Sequence, residues 1–78
     1  MRYVYLLISE DSQHHYTGFT SDPKARLAKH NAREVPHTSK FAPWTLKTYV
    51  AFSDTEQAQA FERYLKTASG RAFAKKRL

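Results

Sequence analysis

The stretch YVYLLI, residues 3 to 8, decides the fold because it is aromatic or branched throughout and apolar at both alternating positions. Successive side chains of a strand point to opposite faces of a sheet, so both faces of this strand must be covered. The stretch therefore predicts a strand in the middle of a sheet. The polar run SEDSQHH and a second short strand, YTGFT at 16 to 20, follow it and predict a β-hairpin.

The residues after the hairpin predict a helix. SDP at 21 to 23 is a typical helix start, with Ser21 or Asp22 as N-cap and Pro23 in the first turn. The helix should run to about residue 31 or 33. At about 100° per residue, four side chains fall within roughly one third of its circumference and make one side basic; these are Arg26, Lys29, His30 and Arg33.

The second half of the chain predicts a loop, a strand and two helical segments. Residues 34–44 contain two prolines and no helical period, and TLKTYVAF at 45–52 predicts a strand with three inward residues, Leu46, Val50 and Phe52. We expect Ser53 to cap a helix and Gly70 to end it, with residues 71–78 adding a short helical segment. The apolar stripe of that helix is Ala58, Phe61, Leu65 and Ala68. The order ββαβαα predicts an α+β fold, a three-stranded antiparallel sheet flanked by helices.

Length and composition limit the class of protein. The 78 residues predict one domain spanning 1–78, and the absence of cysteine excludes disulfides and thiolate zinc sites. The apolar run at the start is too short for a signal peptide or a membrane span. We therefore expect a soluble protein of the cytoplasm.

The charge favours a polyanionic partner. Thirteen Lys and Arg against seven Asp and Glu give a net charge of +6, and residues 63–78 hold six of the bases and no acid. Such a balance is more typical of a nucleic-acid partner than of a small neutral ligand.

The order of these segments resembles the GIY-YIG nuclease superfamily, in particular its small stand-alone members. YVY at 3–5 stands where the family has GIY, and YTG at 16–18 stands where it has YIG. Four further segments resemble the family in the same order: RLAKHN at 26–31, TSKFAPW at 38–44, FERYLK at 61–66 and GRAFAKKRL at 70–78.

The resemblance implies a metal-dependent endonuclease that hydrolyses phosphodiester bonds in DNA. It implies one Mg²⁺ or Mn²⁺ ion held by Glu62 and a place in DNA repair or processing. Because we expect one domain and no second one to confer sequence specificity, we expect recognition of structure or strandedness, with single-stranded or branched DNA as the substrate. The catalytic residues that the resemblance implies are Tyr5, Tyr16, Arg26 and His30. We expect a phenol, a guanidinium and a carboxylate to converge from three different elements.

The chemistry of these residue types suits that reaction. A guanidinium such as Arg26 matches two phosphate oxygens and stays charged. A phenol serves as a base only where cations favour its ionised form, whereas a histidine titrates near neutral pH, so the base is Tyr16 or His30. Gly18 leaves room for a close approach of the substrate. The other expected nucleic-acid contacts are Lys29, Arg33, Lys40, Arg63, Lys66, Lys75 and Lys76.

Less specific interpretations stand beside these assignments. Tyr5 is equally typical of a core residue, and Glu62 has Lys66 four residues on as a partner for a surface ion pair. A binding module of the same fold that does not cut, or a protein-interaction adaptor, would need no acid beside a basic surface. Tyr3 and Thr17 depart from GIY and YIG but leave both tyrosines in place. Three further departures suggest weaker binding, a different substrate or reduced activity: His37, Phe41 and Ala42.

Overall fold

The chain folds around the predicted central strand. A computed structural model describes residues 1–78. The first strand along the chain lies in the centre of the sheet, between the second and the third, and is antiparallel to both neighbours, which confirms the predicted sheet. The elements are β1 (Arg2–Ser9), β2 (His15–Thr20), α1 (Pro23–Asn31), a 3₁₀ turn (Ser39–Phe41), β3 (Trp44–Phe52), α2 (Thr55–Leu65) and α3 (Ala68–Arg77).

Helices cover both faces of the sheet, which accounts for the apolar character of β1. On one face, Val4 and Leu6 are buried against Ala58 and Leu65 of α2, and α3 also packs there. We call this the apolar face. On the other, Tyr5 and Leu7 are buried with Trp44 and half-buried Leu27 of α1; we call this the tyrosine face.

A β-bulge divides the inward residues of β3 between the two faces. The register shifts between Leu6 and Leu7 of β1, so that Leu46 lies opposite Leu7 while Val50 lies opposite Val4. Leu46 therefore packs with the tyrosine face. All three residues that the sequence predicts as inward, Leu46, Val50 and Phe52, are half-buried.

The helix starts follow the predicted capping chemistry, with one correction. Asp22 is the N-cap of α1, where its side chain accepts a hydrogen bond from the backbone N–H of Ala25. For α2 the prediction of Ser53 was wrong by one residue. Asp54 is the N-cap and accepts from the N–H of Glu56, because its carboxylate reaches the same free donors.

The C-terminal helices also differ from the prediction. The helix expected to continue to Gly70 ends at Leu65, because the Thr67 side chain caps a new helix by accepting from the N–H of Gly70. Gly70 is buried in the first turn of α3, where a Cβ would overlap the backbone carbonyl of Tyr64. It therefore permits the close crossing of α3 over the end of α2. None of the helices is long and apolar enough to span a bilayer.

Candidate active site

A buried chain of hydrogen bonds runs across the tyrosine face. The hydroxyl of Tyr5 lies 2.9 Å from Nε2 of His30, and Nδ1 of His30 lies 2.7 Å from Oγ1 of Thr38. The Thr38 hydroxyl lies 3.3 Å from the backbone carbonyl of Val35. Tyr5, His30 and Thr38 are 1%, 0% and 1% exposed, so no water competes for these bonds. A polar chain this deeply buried is stable only when every member is paired.

The positions of the protons in this hydrogen-bond chain follow from which groups can donate and which can only accept. The carbonyl of Val35 only accepts, so the single Thr38 hydroxyl proton goes there and Oγ1 accepts from His30 Nδ1–H. Nε2 is then unprotonated and accepts from the Tyr5 hydroxyl. Burial, and next to it the charge of Arg26, lowers the pKa of His30, so the imidazole is neutral at pH 7.

Arg26 brings a positive charge to the same place. It lies one helical turn before His30 on α1, and polar interaction with the Tyr5 hydroxyl raises its pKa despite burial. Burial raises the pKa of Tyr5 although Arg26 opposes the effect, so Tyr5 stays a phenol. The Nε atom of Arg26 is buried and has no hydrogen-bond partner. An anion such as a phosphate would supply the acceptor that this guanidinium lacks.

Tyr16 completes the cluster from the edge strand β2. Its ring lies 4.8 Å from the His30 ring and 6.1 Å from the Tyr5 ring, centroid to centroid. It is half-buried and takes no part in the hydrogen-bond chain, so its hydroxyl is the more accessible of the two phenols. Gly18, two residues on, faces Tyr5 across the strands, and a Cβ there would overlap the Tyr5 ring. Gly18 thus makes room for Tyr5 rather than for a substrate.

Glu62 comes from a different helix than Arg26 and His30. It is on α2, which packs on the apolar face, and its one charged partner is Lys66, whose Nζ lies 3.0 Å from Oε2 of Glu62. The structure thus groups the phenols and the guanidinium, while the convergence of the Glu62 carboxylate with them stays a prediction. The Glu62–Lys66 contact is the surface ion pair that the sequence analysis named as the less specific interpretation of Glu62. Because Lys66 is more than half exposed, the pair contributes about 0.5 kcal/mol or less.

The residues around Glu62 fit a divalent cation only in one way. No three His, Asp or Glu side chains cluster anywhere in the chain, so an all-protein cage is excluded. Mg²⁺ is often held by one carboxylate, with waters and substrate phosphate oxygens as its other ligands. The Glu62 side chain is 22% exposed and its weak partner, Lys66, is more than half exposed, so the carboxylate is accessible. This donor set fits the single-carboxylate mode.

The basic residues expected to contact nucleic acid divide into three groups. Arg33 follows the end of α1 with a positive φ of 62°, and its side chain donates to the carbonyl of Ser39, so it holds the loop. Lys66 and Lys75 line one cavity on the apolar side of the sheet. The others are exposed: Lys29, Lys40, Arg63 and Lys76. The predicted basic side of α1 is thus split, because its Arg26 and His30 turn towards the sheet.

Sequence reasoning missed two residues that hold the site. Thr38 bonds His30 and its backbone carbonyl accepts from Nε1 of Trp44 at 2.9 Å. The Asn31 side chain accepts from the N–H of Trp44 and donates to its carbonyl, tying the end of α1 to the start of β3. A polar residue inside the loop TSKFAPW was the available signal for Thr38.

Comparison with known proteins shows the family of the chain. The GIY-YIG catalytic domain matches residues 1–77, so the chain belongs to the GIY-YIG family and has its nuclease-type fold. It is 38% identical over 65 residues to a UPF0213 protein of Lacticaseibacillus paracasei, covering 82% of this chain and 72% of that one. It is 33% identical over 70 residues to a UPF0213 protein of Halobacterium salinarum, covering 88% and 90%. No solved structure matches. The resemblance seen in the sequence is confirmed.

Proposed function

We propose that the protein is a divalent-cation-dependent DNA endonuclease that hydrolyses phosphodiester bonds. The observation that supports this most is the grouping of two tyrosines and an arginine around a buried, neutral histidine in a chain of the GIY-YIG family. Shifted pKa values with specific charge partners are typical of functional sites.

Arg26 binds the scissile phosphate in this proposal. Its Nε has no partner in the protein, and a guanidinium donates two parallel hydrogen bonds to phosphate oxygens. The fixed charge stabilises the negative charge that grows on the phosphoryl oxygens in the transition state.

The two tyrosines take different roles. Tyr16 is the more accessible phenol and, as the phenolate, accepts the proton of the attacking water. The water oxygen bonds to phosphorus while the bond between phosphorus and the leaving oxygen breaks. Tyr5 donates to His30, and the pair holds the Tyr5 oxygen towards Arg26. His30 thus positions Tyr5 in this proposal, because both of its nitrogens are already bonded.

Glu62 holds the cation by its single carboxylate. A bound Mg²⁺ or Mn²⁺ supplies neutralisation of phosphate charge and stabilisation of the leaving oxygen. Glu62 itself must release Lys66, which costs little because the Lys66 side chain is more than half exposed.

We take the chain to act as one domain in the cytoplasm. Its charge indicates the class of substrate. With a net charge of +6, contacts to the DNA backbone dominate, so recognition is by shape or strandedness, with single-stranded or branched DNA as the first candidates.

The test is cleavage of single-stranded, duplex and branched DNA with and without Mg²⁺. We expect Arg26→Gln and Glu62→Gln each to reduce cutting by about 10²–10³-fold, the usual cost of losing one electrostatic contact in a transition state. Glu62→Gln should keep or gain DNA affinity because a repulsive charge is removed. Lys24→Gln and Glu34→Gln, both at exposed positions, are the matched controls.

One observation favours a second function, a DNA-binding module that does not cut. Glu62 lies on the helix layer opposite Tyr5 and is paired with Lys66. If this is the function, all five proteins bind DNA and none cuts any substrate with Mg²⁺ or Mn²⁺. Cutting that is equal in the wild type and both site variants would reveal a contaminating nuclease and reject the proposal.

A further inference from the structure

We propose that the cavity between the apolar side of the sheet and the helices α2 and α3 binds one unpaired nucleotide of a single strand. The cavity has a volume of about 740 Å³. That is within the range of about 300–1,000 Å³ typical of ligand sites. The inference rests on the proposed function, because the strand bound there is the one that continues from the candidate active site.

The charge of the cavity selects an anion. Its rim carries four cationic side chains from three elements: Lys47 on β3, Lys66 at the end of α2, and Arg71 and Lys75 on α3. None of its lining residues is acidic. Only Lys66 has an acidic partner, Glu62, so three cations face the cavity without an ion pair. Phosphates of a strand crossing the rim would supply the missing negative charge.

The apolar floor of the cavity favours a ligand that has an apolar part as well as a phosphate. Leu6, Leu65 and Ala74 line it, and the first two belong to the buried core of the apolar face. An apolar surface inside a cationic rim matches a nucleotide whose base is unstacked, since the base gains by leaving water and its phosphate stays at the rim. In a duplex the bases are paired and cannot reach the floor.

The position of the cavity connects it with the candidate site. Tyr16, whose ring contacts His30, also lines this cavity together with His15 and Thr17 of the edge strand. A strand bound at Arg26 can therefore pass over the β2 edge and enter the cavity. This continuity favours a nucleic acid over an acidic peptide as the occupant.

Binding is measured in EDTA, so that no cutting occurs, with hexathymidylate as the probe and fluorescence anisotropy as the signal. Lys47 and Arg71 are exposed, so the variant Lys47→Gln/Arg71→Gln should keep the fold, which thermal unfolding checks. Loss of two phosphate contacts should reduce the slope of log affinity against log salt by about 1.4 for a single strand. Each single variant should weaken binding more than Lys24→Gln, an exposed base on α1.

Amide chemical shifts locate the probe. The dinucleotide pTpT should shift Thr17 and Ala74 more than residues of α1. Shifts confined to α1, or a double variant with an unchanged salt slope, would overturn the proposal, and so would equal competition by hexaglutamate. If the probe shifts the cavity residues and the protein never cuts DNA, only the nuclease function is rejected. If the protein cuts DNA and the cavity residues do not shift, only nucleotide binding in the cavity is rejected.

Discussion

The two faces of β1 show how one strand serves two purposes. On the apolar face, Val4 and Leu6 pack against apolar side chains of α2 and α3. On the tyrosine face, the neighbouring Tyr5 meets His30, whose other nitrogen meets Thr38. Hydrophobic burial is non-directional and tolerates exchange of similar shapes, whereas a buried hydrogen-bond chain fixes the position of every member. The apolar face therefore carries stability, and the tyrosine face carries the geometry of the site.

Leu65→Ala tests the apolar face and has the largest expected effect on folding. Leu65 is 2% exposed, and removing its side chain leaves a cavity that α2 cannot close. Urea unfolding should show a loss of about 2–5 kcal/mol. Leu46→Ala, at a half-buried position beside the tyrosine face, is the control and should lose clearly less. Equal losses would contradict the division of roles between the faces.

Gly18→Ala tests the tyrosine face from the opposite strand. The new Cβ would overlap the Tyr5 ring, which is held by its bond to His30 and cannot swing away freely. Overpacking of this kind costs about 1–3 kcal/mol. Gly70→Ala is the control, because its Cβ would meet the Tyr64 carbonyl, away from the tyrosine cluster. Gly18→Ala alone should change the Tyr5 ring signals in NMR, and unchanged signals would refute the packing argument.

The fold could be predicted from the sequence wherever a segment is compatible with only one secondary structure. YVYLLI is apolar on both alternating faces, so its place between two strands follows directly. The end of α2 could not be predicted, because the spacing of the apolar residues continues from Leu65 to Ala68 across the break between α2 and α3. Only the capping capacity of Thr67 marked the new start, and a threonine inside a helical pattern is common.

The sequence predicted which residues form the cluster better than it predicted how deeply each of them is buried. The resemblance to the family predicted that Tyr5, Tyr16, Arg26 and His30 act together, and the structure brings these four into one cluster. A helical wheel made His30 part of a basic surface, yet it is fully buried. The physical reason is that α1 has only Leu27 as a large aliphatic side chain after Pro23, so His30 must help to cover the sheet.

Thr38→Val tests the far end of the hydrogen-bond chain. Valine keeps the shape and removes the acceptor of His30 Nδ1–H, which is then buried without a partner. The expected loss is about 1–2 kcal/mol of unfolding free energy. Thr38→Ser keeps the hydroxyl and should recover most of it, together with the Nδ1–H signal at low field. A serine variant as unstable as the valine variant would assign the effect to the lost methyl group instead.

The pH dependence of stability gives the smallest effect and tests the neutral state of His30. Because burial lowers its folded pKa below the ordinary value of 6.5, the unfolded chain binds the proton first as acid is added. The stabilisation is complete above about pH 6.5 and declines as the pH falls below it towards the folded pKa. The urea midpoint should therefore fall between pH 7 and 5, and His30→Gln should flatten this fall while His37→Gln, at an exposed position, should not. Asp11 does not interfere, since bonding to Ser9 lowers its pKa below 3.8 and its contribution is lost only in stronger acid. An equally steep fall in His30→Gln would mean that His30 binds its proton equally well in the folded and the unfolded chain, which would contradict a lowered pKa.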